Sequence, residues 1–83
     1  MVDEEIYKFL TSVFRDVFMR DDIVLTSQTT SDDIEGWDSH KQIEILLATE
    51  EGLGIKFSSK EIDSLDNVGA LAKLTATKLS SVN

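Results

Sequence analysis

Three consecutive residues, Asp38, Ser39 and His40, carry the side-chain types of a hydrolytic relay. They open an apolar-periodic stretch, and on a helix neighbouring residues diverge by about 100°, so the three side chains cannot converge on one proton path. His40 is the only histidine, cysteine is absent, and neither a zinc-protease nor a calcium-loop spacing occurs. The four glycines match neither a phosphate-binding loop nor a dinucleotide fingerprint. Catalytic, metal and nucleotide chemistry therefore find no support, and no metal site is expected. What remains is the Ser39 hydroxyl at a helix start. An ordinary N-terminal cap is the bland reading of such a serine. The chemically richer reading is an attachment point, because an anion carried there faces the positive end of the helix dipole and unpaired backbone N–H groups.

The elements that must position Ser39 follow from periodicity. Ile6, Phe9, Leu10, Val13, Phe14, Val17 and Phe18 fall on one helical face, which predicts a first helix over Asp3 to Arg20. Asp3, Glu4 and Glu5 in its first turn and Arg20 in its last favour the dipole. Residues 21–37 are rich in Asp, Ser and Thr without a period, which predicts a long connection pinned by Ile23, Leu25, Ile34 and Trp37. A second helix is expected from Asp38 or Ser39 to Glu51. Asp38 is its candidate cap, Ser39 and Gln42 have capping-box spacing, and Gly52 and Gly54 act as stops. Ser58 and Glu61 repeat that spacing ahead of Ile62 and Leu65, giving a short third helix. The last helix is expected from Asn67 to Leu79 with Val68, Leu71, Ala72, Thr75 and Leu79 on one side, weakened by Gly69 and followed by a fraying polar tail.

The second helix divides into two sectors. Ile45, Ala48, Thr49 and Gly52 point one way with Leu46 at the boundary, while Ser39, His40, Ile43, Glu44, Leu47, Glu50 and Glu51 point the other. Apolar Ile43 and Leu47 set among glutamates is the pattern of a partner-docking face. The alternative is a central helix buried nearly all round, against which the glutamates weigh, since unpaired carboxylates are rarely buried.

Size and composition argue against a deep enzyme cleft. Eighty-three residues make one domain, residues 1–83, that buries only around 60% of its unfolded surface. The formal net charge is -8, and the segment from Asp32 to Asp66 holds ten acids against three bases. Such a field repels nucleic acid and anionic membrane and attracts basic protein patches. The apolar runs are short and no secretory or transmembrane signal is present, so a cytoplasmic monomer is expected.

The run Gly36, Trp37, Asp38, Ser39, followed by Ile43, Glu44, Ile45, Leu46, Leu47, Ala48, Glu50 and Glu51, resembles the attachment motif of acyl carrier proteins. The likeness extends over nearly the whole chain. It implies an all-α, four-helix acyl-carrier-like bundle with three longer helices, a short third helix and a long loop between helices one and two. It further implies that Ser39 receives phosphopantetheine from coenzyme A through a phosphopantetheinyl transferase, with Asp38 as motif neighbour. An acyl or aminoacyl group would then ride as a thioester on the arm's thiol. Implied partners are a loading ligase and downstream synthase or transferase enzymes with basic docking patches. His40, Ile43, Glu44, Leu47, Glu50 and Glu51 are the implied recognition surface, with Glu61 and Asp63 on the third helix either added to it or ordinary surface. Three departures stand out: His40 replaces the usual Leu, and Lys41 and Thr49 replace residues more often acidic and apolar. Thr49 can bond its own backbone in a core position. His40 borders the attachment serine and implies altered transferase or partner recognition, and Trp37 before the Asp-Ser pair resembles specialised discrete carriers more than the primary fatty-acid type. The alternative function is a carrier-fold interaction module that is never modified.

Overall fold

Ile6, Leu10 and Phe14, three points of the first apolar stripe, are fully buried in the computed structural model, which describes residues 3–81. Each contributes roughly 1.5–3 kcal/mol by leaving water. The stripe belongs to α1, Asp3–Phe18, which packs against both α2, Ser39–Leu53, and α4, Val68–Ser81. A short α3, Ser59–Asp63, completes the all-helical bundle and buries none of its own residues.

α1 ends at Phe18, short of the expected Arg20. Met19 adopts a left-handed conformation at φ 55°, and the Arg20 N–H reaches back to the Arg15 carbonyl at 3.1 Å, the long bond of a Schellman turn. Arg20 is thus outside the helix, where it pairs with Asp22 at 2.9 Å, and Arg15 is the base of the last turn.

The long connection is anchored as expected by Ile23 and Ile34, both buried, and by Leu25 and Trp37, which pack against the core. It also caps α4. The carbonyl of Thr29 accepts from the Val68 N–H at 2.8 Å and that of Ser27 from the Gly69 N–H at 3.0 Å, satisfying two donors that a helix start leaves open. A third is met by Asn67 Oδ1, which accepts from the Ala70 N–H at 2.8 Å. Gly69 is therefore a contact point rather than a weakness: a Cβ there would lie 2.6 Å from the Ser27 carbonyl oxygen.

Gly52 does not stop α2, which continues to Leu53. Its bare Cα faces the Phe9 ring, where a Cβ would meet Cζ at 2.5 Å, so the residue admits close packing of α1 on α2. Gly54 supplies the left-handed cap at φ 68°. α3 carries the expected capping box, with Ser58 Oγ accepting from the Glu61 N–H and Glu61 Oε1 from the Ser58 N–H. α4 runs through Ser81, past the expected end at Leu79; Val82 and Asn83, the remainder of the tail expected to fray, lie outside the described residues. Val68, Leu71, Ala72 and Thr75 face the core together, as their spacing predicts.

Candidate functional site

The approach to Ser39 is built from Trp37 and Asp38. The Trp37 ring meets Phe14 edge-on at 5.1 Å and Phe18 at 6.4 Å, and this aromatic contact fixes the end of the long connection against α1. Trp37 Nε1 donates to Gln42 Oε1 at 2.7 Å. The capping box expected between Ser39 and Gln42 is consequently not formed, because Ser39 is already the first helical residue and the Gln42 side chain is committed to the indole. Asp38 is the cap: its backbone is extended, and Oδ1 accepts from the Lys41 N–H at 2.9 Å. That bond, more than any other influence, holds the Asp38 carboxyl below its ordinary range.

Ser39 is exposed, and its hydroxyl has no hydrogen-bond partner among the described residues. It stands at the edge of a groove of about 360 Å³ whose walls include Trp37, Gln42, Leu65, Asn67 and Leu71. The site therefore joins a free hydroxyl, a helix start and an adjoining groove.

Behind Ser39 the two-sided helix is as its sequence reads. Ile45, Leu46 and Thr49 are buried, and Thr49 Oγ1 donates to the Ile45 carbonyl at 2.8 Å. Ile43 and Leu47 are more than half exposed, at 56% and 52%. The pair forms a small apolar patch on a face whose other exposed members, Ser39, His40 and Glu51, are polar. Around it, Glu44 lies 3.3 Å from Lys41 Nζ and 3.7 Å from His40 Nε2, while His40 and Glu51 are exposed.

Two of the acidic residues assigned to this face have internal employment. Glu50 Oε2 accepts from the Phe57 N–H at 2.7 Å, tying the segment after α2 back to the helix. Glu61 completes the α3 capping box and pairs with Lys78 of α4 at 2.8 Å; the Lys78 bond is the main reason its carboxyl is held below its ordinary range. Asp63 is exposed beside it on α3. Sequence reasoning missed the Gln42 and Asn67 roles, since a side-chain bond from Trp37 to Gln42 follows no local rule, whereas Asn67 directly before an apolar-periodic run is a readable cap signal.

Among the described residues no three His, Cys, Asp or Glu side chains are grouped to hold a metal, and no helix is long and apolar enough to cross a membrane. No family model and no curated protein sequence matches the chain. Among solved structures, the chain is similar to a holo acyl carrier protein from Geobacter metallireducens, determined by solution NMR. The two are 41% identical over 92% of this chain and 87% of that one, and superpose with a TM-score of 0.87. With an all-helical fold over the described residues that superposes this well, and identity that high over so much of both chains, this protein is a carrier rather than an enzyme and belongs to the acyl carrier protein family.

Proposed function

We propose that residues 1–83 act as one carrier domain bearing phosphopantetheine on Ser39, and that an acyl or aminoacyl group rides on the arm's thiol as a thioester. The observation that carries this reading is the exposed, unpartnered Ser39 hydroxyl on the first residue of α2, directly after the Asp38 cap and at the edge of a groove. A phosphodiester there gains from the helix dipole and from N–H groups at the helix start. The chain lacks cysteine, so the thiol is imported with the arm.

Partners in this reading are a phosphopantetheinyl transferase, a loading ligase and downstream synthase or transferase enzymes, met in the cytoplasm by a monomeric carrier. Ile43 and Leu47 form the apolar centre of the docking face, with His40, Glu44 and Glu51 as its polar margin. Glu50 and Glu61, held by internal bonds, contribute charge from fixed positions, and Asp63 extends the face onto α3. Trp37 directly before the Asp38 and Ser39 pair favours a specialised pathway over primary fatty-acid synthesis, and His40 directly after it bears on which transferase or partner is accepted.

Incubation with coenzyme A and a broad-specificity phosphopantetheinyl transferase, followed by intact mass measurement, tests the proposal. One phosphopantetheine is expected on the wild type and none on Ser39→Ala. Absence of added mass with every competent transferase would favour the unmodified interaction module, for which His40 beside Ser39 is the supporting feature; partner binding would then be indifferent to Ser39→Ala.

A further inference from the structure

The groove beside Ser39 contains hydrogen-bonding capacity that the fold leaves over. An indole N–H can only donate, so the 2.7 Å contact from Trp37 fixes the Gln42 amide with its oxygen toward the ring and its NH2 away from it. Asn67 is oriented by the same logic, because its Oδ1 accepts from the Ala70 N–H at 2.8 Å and leaves Nδ2 over. Both side chains line the groove that Ser39 borders, both are half-buried, and neither NH2 meets a protein acceptor among the described residues. Idle, partly desolvated donors are costly, and an acceptor brought into the groove relieves that cost. The rest of the lining is mixed, with Leu65 and Leu71 as apolar members beside the polar Ser31, Asp38 and Asp66.

Resting on the reading that Ser39 bears the arm, we propose that Gln42 and Asn67 form a cradle for it: their NH2 groups donate to the arm's amide carbonyls while its carbon chain lies on Leu65 and Leu71. The arm matches the groove in chemistry, since it alternates amide acceptors with short apolar stretches. It matches in size as well, because about 360 Å³ is at the lower end of the roughly 300–1,000 Å³ typical of small-molecule sites. Attachment at the groove's edge makes this an intramolecular contact, so even weak bonds populate it.

The test compares apo and holo protein by NMR after mass measurement has verified loading. The Gln42 and Asn67 side-chain NH2 signals are expected to move on loading and to show cross-relaxation with the arm. Gln42→Glu and Asn67→Asp keep the oxygens that Trp37 and Ala70 need but remove the NH2 groups, so the doubly substituted holo protein should lose those contacts and release the arm to tumble severalfold faster. Ser31→Asp, which adds charge to the same groove without removing an amide, should retain them. A verified holo protein whose NH2 signals coincide with those of the apo form, and whose arm moves like free pantetheine, overturns the cradle and leaves Ser39 as the attachment point. Release by Ser31→Asp as complete as by the double variant also overturns it. Failure to load at all strikes the attachment reading itself and the cradle with it. If the double variant does not fold, the wild-type comparison decides.

Discussion

Asp38 has two roles in one side chain. It caps α2 through the Lys41 N–H, and in doing so it fixes the helix start whose first residue is Ser39. Asp38 and Glu61 are both held below the ordinary carboxyl range by the bonds they accept. A carboxyl whose folded value is depressed contributes stability that is whole above its unfolded value, near about 4, and that disappears as pH falls through the folded value. The melting temperature is therefore expected to drop on acidification below about pH 4, and Asp38→Asn, which still offers a capping oxygen, should flatten part of that drop. Circular-dichroism melts across the acid range check it; a variant with the same pH profile as the wild type would remove Asp38 from the account. At this scale local rules read well. The Asp38 cap, the Ser58 capping box and the back-bonded Thr49 were all legible, because each depends on residues within one turn. Gln42 was not, because the residue that claims it precedes the helix.

Helices were legible where their apolar period was, and their ends were not. The α1 stripe gave the element, yet its termination depends on Met19 adopting a left-handed backbone, which no local preference for methionine announces. The glycines show the same limit. By propensity alone, Gly69→Ala should strengthen α4 by about 1 kcal/mol. The Ser27 carbonyl 2.6 Å from the added Cβ reverses that expectation, because the loop must shift and with it the bond that caps α4. The substitution is expected to lower unfolding stability by about 1–3 kcal/mol, the usual cost of overpacking. Denaturant titration decides, and a stabilised Gly69→Ala would show that the loop yields freely.

For the molecule as a whole, the excess of eight negative charges and the open Ile43 and Leu47 pair act together. Charge steers encounter with a basic partner, and the apolar pair supplies contact once docked. Glu51→Lys, at an exposed position, should slow transferase loading severalfold at low salt while leaving the melting temperature unchanged. Glu44→Lys should do the same, with some loss from its neighbours Lys41 and His40. The gap should narrow as the screening length falls from about 30 Å at 10 mM to about 8 Å at 150 mM salt. Equal rates at low salt would count against the docking face. The acidic bias and the two-sided helix were both readable from the chain; which carboxylates stay free was not, because the partners of Glu50 and Glu61 come from Phe57 and from Lys78 on α4.

Trp37 is the sole tryptophan, and its indole packs against Phe14 and Phe18 with its N–H bound to Gln42, two positions ahead of Ser39. Nature has thereby installed a single fluorophore at the threshold of the candidate attachment point. Arm attachment should change its emission wavelength or quenching, so loading and partner capture become readable in real time on unlabelled protein. Identical emission before and after verified loading would mean that the indole is indifferent to what Ser39 holds.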